Sequence, residues 1–180
     1  KYSNIYDDFV KDIYSTFIQC GFPYKSGFYH DNKLTFDDII IRNQELLSNK
    51  FELGMNQHYL EGYEQILLKY NDEVDLRLFW SCYDETVAFT CIIPECNVIQ
   101  YSEGIKYKAD EITKFLDIAL KVWKSSTVET VQACLKFDGG YVNYFDIIKG
   151  ECPFIHPFCI IKKEHYHKIS KKIDLEKYEV

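Results

Sequence analysis

Three residues near the carboxyl end of the chain come closest to a motif that could hold a metal ion or act as a nucleophile. Cys152, His156 and Cys159 lie in one short stretch, and thiolate and imidazole are ligands that Zn²⁺ prefers in a tetrahedral site. Their spacing matches none of the common zinc-finger patterns, and Pro153 and Pro157 favour a rigid loop instead. We therefore expect no metal ion and no cofactor. A thiol- or metal-dependent hydrolase centred on these three residues is the alternative function.

Paired acids are the other residues whose type could do chemistry. Asp72-Glu73 and Asp84-Glu85 each separate two runs of alternating apolar residues, where a role in a solvated turn explains them. The chain has no glycine-rich phosphate loop, no dinucleotide-binding fingerprint and no nucleophile elbow, and its one glycine doublet falls in a turn-like context. These observations favour a protein without catalytic activity.

The element that must position these acids is an antiparallel meander over residues 63–93. In its middle strand, residues 76–83, large side chains alternate between two faces with the period of two that a pleated strand requires. The flanking runs alternate in the same way, and Pro94 ends the last of them because it has no N–H to donate. A strand that is bulky on both faces is usually covered on both, so we expect helices against at least one face.

Three helices are expected beside this sheet. The first runs from a cap at Ser3 or Asn4 to Gly21, and the second opens at Thr35 and Asp38, whose spacing predicts a capping box. The third has an apolar stripe at helical spacing, formed by Ile112, Phe115, Leu116, Ala119, Val122 and Trp123. The sequence thus predicts an α+β fold in which an antiparallel sheet packs against about three helices.

An aromatic segment precedes the second helix. Residues 22–33 carry Tyr24, Phe28 and Tyr29 without helical or strand spacing, so we predict a loop. Its rings either fold back onto the body of the protein, which is the more common outcome, or contact a partner.

The carboxyl half is expected to add to the sheet. Residues 130–137 alternate as a strand, and the turn that follows predicts a second hairpin with residues 141–147. An edge strand is expected at residues 158–161. The length of the chain is that of one ordinary domain, so we predict a single α+β domain over residues 1–180.

Composition limits the choice of partner. The 28 acidic residues outnumber the 21 basic ones, for a formal net charge of −7. Because Lys and Arg supply most of the affinity for nucleic acid, this balance disfavours nucleic acid and favours a basic protein. Seven cysteines, an odd number found mostly in apolar runs, favour reduced thiols in a cytoplasmic protein over a disulfide framework. No apolar run is long enough to cross a bilayer, so we expect no membrane segment.

In general character, this acidic, aromatic-rich chain without a catalytic motif resembles the small bacterial immunity proteins that neutralise toxins delivered to neighbouring cells. The resemblance is to a class and extends over the whole chain, with no motif from which functional residues carry over. It implies tight binding to a cognate toxin, often through acidic side chains that meet a basic active site.

We therefore predict a non-enzymatic inhibitor that binds a basic toxin domain through the meander turns and the aromatic loop. The predicted contact residues are Asp72, Glu73, Asp84, Glu85, Tyr24, Phe28 and Tyr29. An adaptor that sequesters a host protein is a further alternative, which the sequence does not separate from the first. The identity of the partner and the oligomeric state stay open.

Overall fold

The computed structural model describes residues 3–27, 33–48, 65–83, 86–101, 106–124, 127–135 and 141–169. The chain divides into two compact units, Lys1–Val98 and Ile99–Val180. The described residues form one four-stranded antiparallel sheet, two two-stranded sheets and six helices, so the predicted α+β class is confirmed. A single domain over the whole chain stays a prediction.

The first unit is built on the predicted meander. Its strands are β1 (Tyr24–Gly27), β2 (Ile66–Lys69), β3 (Asp75–Tyr83) and β4 (Thr86–Ile92), and its helices are α1 (Ser3–Gln19), α2 (Phe36–Ser48) and α3 (Glu95–Val98). The strands follow the order β1-β2-β3-β4, with every neighbouring pair antiparallel. The three strands of the meander are confirmed.

The strand β1 corrects one prediction. Residues 24–27 form an edge strand, so the prediction that residues 22–33 are a loop is wrong for these four residues. The register shifts between Tyr24 and Ser26, and this irregularity removes the period of two by which a strand is recognised in sequence.

The core of the first unit lies on one face of β3. Leu76 and Leu78 are fully buried, and Trp80 keeps 3 % of its surface exposed. Rings from α1 cover this face, since the Phe9 and Tyr14 centroids lie 5.5 and 6.1 Å from that of Trp80. Residues of the opposite face of β3 are mostly half-buried, as expected for a strand with bulk on both sides.

Local signals mark the end of α1 and the start of α2. Gly21 follows α1 with φ of +93°, a left-handed conformation that glycine adopts without steric cost. Before α2, the backbone N–H of Thr35 donates to Asp38 Oδ2 over 3.0 Å, and the Asp38 N–H donates to Thr35 Oγ1 over 3.2 Å. These reciprocal bonds confirm the predicted capping box.

The second unit contains smaller elements. Its helices are α4 (Ala109–Trp123), α5 (Tyr144–Ile148) and α6 (Lys163–Ile169), and its strands are β5 (Ile99–Gln100), β6 (Lys106–Tyr107), β7 (Thr130–Gln132) and β8 (Cys159–Ile161). The strand β5 pairs with β6, and β7 pairs with β8, both antiparallel. The helix α4 buries Phe115, Ile118 and Ala119. Two residues of the predicted stripe are thus buried and Ile118 joins them, whereas the other four are half-buried: Ile112, Leu116, Val122 and Trp123.

The partner of β7 was predicted wrongly. Residues 141–147 do not form a strand, because Asn143 Oδ1 accepts a hydrogen bond from the Phe145 N–H over 2.8 Å and caps α5. The strand that pairs with β7 is β8, which lies at the edge strand predicted for residues 158–161.

None of the helices in the described parts of the chain is long and apolar enough to span a membrane.

Candidate partner-binding site

The turn between β2 and β3 presents two of the predicted contact residues on a fixed backbone. We call residues 70–74 the acidic tip. Asn71 Oδ1 accepts hydrogen bonds from the N–H groups of Glu73 and Val74, over 2.9 and 2.8 Å. The Tyr70 N–H donates to the Val74 carbonyl over 3.0 Å and closes the turn. Asn71 therefore acts as an Asx-turn residue that leaves Asp72 and Glu73 exposed to solvent.

An aromatic stack anchors the first residue of the acidic tip. The ring of Tyr70 stacks on that of Phe22, with centroids 5.8 Å apart and planes 14° apart. Phe22 is fully buried and also contacts Phe17 of α1, at 6.4 Å between centroids. This stack packs the first residue of the acidic tip against the core of the first unit and so holds the turn in place.

Two lysines neutralise part of the acidic charge in this region. Lys69 Nζ lies 2.7 Å from Asp72 Oδ1, and Lys25 Nζ lies 2.6 Å from Asp75 Oδ2. The hydrogen bond and charge of Lys69 lower the pKa of the Asp72 carboxyl, and the Asp72 carboxylate raises the pKa of Lys69 in return. Among the described residues, Glu73 has no ion pair. Glu73 is therefore the acid of the tip whose charge is most available to a partner.

Tyr24 lies in a strand and is half-buried, whereas a residue of a contact loop is expected to be exposed. Its hydroxyl donates a hydrogen bond to the Leu34 carbonyl over 2.6 Å. Its ring packs 5.5 Å from that of Phe36, at the start of α2. Tyr24 thus links the edge strand to the second helix. The other predicted contact residues, Asp84, Glu85, Phe28 and Tyr29, lie outside the described residues.

The predicted hydrolase residues lie in the second unit. Cys152 is half-buried, His156 is exposed, and the His156 ring packs 5.4 Å from that of Tyr107. Burial raises the pKa of the Cys159 thiol to about 12, so this thiol is protonated at neutral pH and is a poor nucleophile. Within the described ranges, no three His, Cys, Asp or Glu side chains are grouped so that they could hold a metal ion.

A polar network that sequence reasoning missed lies beside β7 and β8. Glu129 directly precedes β7 and Lys162 directly follows β8, and the pairing of Thr130 with Ile161 places them opposite each other, where they form an ion pair. The Tyr144 hydroxyl lies 3.4 Å from Nε2 of the buried His165. The opposite charges of Glu129 and Lys162 are visible in the sequence, but they predict an ion pair only if the pairing of β7 with β8 is already known.

The electrostatics of this network favour a structural role. Burial, followed by the charge and hydrogen bond of Glu129, raises the pKa of the Tyr144 hydroxyl. The hydrogen bond to Glu129 raises the pKa of Lys162, which keeps its ammonium charged. A protonated phenol and a charged ammonium are hydrogen-bond donors, and neither is activated as a base or a nucleophile.

Comparisons of the chain with protein-family profiles, with curated proteins and with solved structures find no match.

Proposed function

We propose that this chain is a non-enzymatic, cytoplasmic protein that binds and inhibits another protein, and specifically an immunity protein that neutralises a basic toxin domain by direct contact. The observation that carries the proposal is the acidic tip, in which Asp72 and Glu73 project from a turn fixed by Asn71. A surface that is already ordered loses little conformational entropy on binding, and rigid inhibitors gain affinity in this way.

Charge supports a basic partner. The formal net charge of −7 and the exposed acids of the tip attract a positively charged surface, and such attraction raises the association rate most at low salt. Because Lys69 already pairs with Asp72, an incoming Lys or Arg has to compete for Asp72 but meets Glu73 without such competition. We therefore expect Glu73 to contribute more to affinity than Asp72.

The pKa values of two thiols, one of them Cys159 of the predicted hydrolase site, disfavour these two groups as nucleophiles. Desolvation raises the pKa of Cys91 and of Cys159 to about 12 in both cases, so both stay protonated at neutral pH. A thiol hydrolase needs the opposite shift, since the thiolate is the nucleophile.

The test is coexpression with the product of the adjoining gene, whose effect on bacterial growth is measured with and without this protein. We expect the adjoining gene product to arrest growth, this protein to restore it, and the two purified proteins to form a stable complex. A harmless adjoining product that forms no complex would contradict the immunity function.

Charge reversal then tests the acidic tip as the contact site. Asp72→Lys/Glu73→Lys is expected to raise the Kd of the complex at least tenfold and to reduce its dependence on salt, because close opposite charges are lost. The matched control is Asp12→Lys/Glu45→Lys, which changes two exposed acids on α1 and α2 and shifts the net charge equally. Equal weakening by both double variants would show that only long-range charge matters and that the tip is not the contact.

A further inference from the structure

Within the described parts of the chain, the outer edge of β4 lacks the strand features with which sheet edges are usually protected. Natural edge strands are kept short or carry Lys, Pro or a bulge, which prevents pairing with another chain. The opposite edge has such features, since β1 is four residues long, contains Lys25 and has a register shift. By contrast, β4 is seven residues long, with the sequence TVAFTCI, and has neither a charged residue nor a proline. Its pairing with β3 is regular, and no described strand pairs with its other side.

The turn hydrogen bonds determine which backbone groups of β4 face outward. The Tyr70 N–H donates to the Val74 carbonyl, so Tyr70 and Val74 are a hydrogen-bonded pair of the β2–β3 ladder. Along a strand with two antiparallel neighbours, successive residues turn their N–H and C=O groups to alternate sides. Even-numbered residues of β3 therefore bond to β2, and odd-numbered residues bond to β4. The bond from the Lys69 N–H to the Pro23 carbonyl, on the side of β1, agrees with this alternation.

The register between β3 and β4 shows which residues of β4 bond to β3 and which face outward. Three odd-numbered residues of β3 lie opposite even-numbered residues of β4, in the pairs Arg77 with Ile92, Phe79 with Thr90 and Ser81 with Ala88. The even-numbered residues of β4 thus bond to β3. The N–H and C=O groups of Val87, Phe89 and Cys91 point to the outer edge.

We propose that a second copy of this chain pairs with this edge, β4 against β4 and antiparallel, about a two-fold axis at Phe89. In that register Phe89 lies opposite Phe89 of the second copy, and Val87 lies opposite Cys91 in both directions. All the outward N–H and C=O groups of these three residues then find partners. Phe89 bonds to Phe89 of the second copy, and each Val87 bonds to the Cys91 opposite it, so the edge is complementary to itself about the two-fold axis. The two four-stranded sheets become one of eight strands.

The residues of β4 fit a second copy of the same strand. Ala88 of one copy lies opposite Thr90 of the other, two small side chains that pack across strands without a clash, and no like charges meet within β4. Two chains of net charge −7 repel one another at long range, so salt is expected to strengthen the dimer. A single pair of strand edges is smaller than a standard protein interface, so the dimer is expected to be weak and to depend on concentration.

Sedimentation equilibrium of the full chain over a range of concentrations, at low and high salt, tests the association. Val87→Pro removes an outward N–H at a position whose N–H does not bond to β3, so the sheet itself tolerates the change. The control, Val87→Ala, shortens the side chain and keeps the N–H. Because of the two-fold symmetry, Val87→Pro removes two hydrogen bonds from the dimer, one from each Val87 N–H. We therefore expect the dimer Kd to rise at least tenfold for Val87→Pro relative to Val87→Ala. Equal Kd values for the two variants would overturn the proposal.

Amide hydrogen exchange of the unmodified chain gives a second test that needs no variant. As concentration rises, the amides of Val87, Phe89 and Cys91 are expected to gain protection, whereas those of Ala88 and Thr90 are protected throughout. A chain that stays monomeric at millimolar concentration, or a dimer in which the three outward amides gain no protection, would show that the proposal is wrong. A monomer would leave the β4 edge to a strand of another protein. This proposal does not depend on the immunity function, which is tested separately at the acidic tip.

Discussion

Asn43 Nδ2 of α2 donates a hydrogen bond to the hydroxyl of Tyr14 on α1 over 3.0 Å, and both side chains are buried. The bond joins two helices of the first unit through a polar contact in an otherwise apolar core. A buried amide that loses its partner costs about 1–3 kcal/mol, because it has left water without compensation. We expect Tyr14→Phe to lower the free energy of unfolding by this amount, as measured by urea denaturation.

The double variant Tyr14→Phe/Asn43→Leu tests that explanation. Removing both polar groups together is expected to cost less than the sum of the two single changes, since no buried group is then left unpaired. Additive costs would show that the two side chains are not energetically coupled.

The capping box of α2 predicts a loss of stability in acid. The hydrogen bond from the Thr35 hydroxyl, 2.6 Å long, and that from the Thr35 N–H lower the pKa of the Asp38 carboxyl below its ordinary value of 3.8. A carboxyl whose pKa is lowered by folding adds stability above its unfolded pKa, and this contribution disappears as the pH falls through the folded pKa. We therefore expect the free energy of unfolding to decrease below about pH 4.

Thr35→Ala separates this effect from general acid denaturation. It is expected to cost about 1 kcal/mol at neutral pH, as the loss of a helix cap does, and to lose less further stability on acidification than the natural chain. Thr113→Ala, at an exposed position within α4, is the control and is expected to keep the natural pH dependence. Denaturant unfolding at neutral and acidic pH measures both.

Gln132 joins three segments of the second unit through its side chain. Its Nε2 donates to the Val142 carbonyl over 2.8 Å, and its Oε1 accepts from the N–H groups of Val142 and Phe154 over 3.2 and 3.1 Å. At about 1 kcal/mol for each of three hydrogen bonds, Gln132→Ala is expected to destabilise the second unit by about 3 kcal/mol. The exposed Gln100 on β5 provides the control Gln100→Ala, for which little change is expected. Thermal unfolding that affects both variants equally would contradict this role.

The cysteines are expected to react with iodoacetamide in an order set by burial. Cys96 and Cys134 are exposed, whereas burial raises the pKa of Cys91 and of Cys159 to about 12. Because the thiolate is the reactive form, Cys91 and Cys159 are expected to be modified last, with rates that rise toward high pH. Mass spectrometry of peptides taken over time measures the order. Rapid modification of Cys159 at neutral pH would instead support the thiol hydrolase.

The elements that the sequence predicts well are those whose signal is local. The meander and α4 follow from periods of two and of 3.6 within short windows, and the capping box follows from two residues three apart. The acidic tip was likewise predictable as an exposed turn, because Asn71 and its acidic neighbours are typical turn residues.

The features that sequence reasoning missed depend on pairing between distant segments. The strand β1 pairs with β2 far along the chain and has an irregular register, so its four residues show no clear alternation. The strand β7 pairs with β8, with α5 between them, and the ion pair of Glu129 with Lys162 follows only from that register. Hydrophobic periodicity contains no information about which distant strand is the partner.

The arrangement of strands has a consequence for the order of folding on the ribosome. All four strands of the first sheet have been synthesised once Ile92 has been added, so that sheet can assemble as soon as these residues emerge from the ribosome, while later residues are still being added. β7 cannot pair until translation has passed Ile161. Once β7 has emerged, the nascent chain carries a finished amino-terminal sheet and an unpaired β7, so a translational pause between the emergence of β7 and that of β8 prolongs the exposure of β7 and leaves the first sheet unaffected.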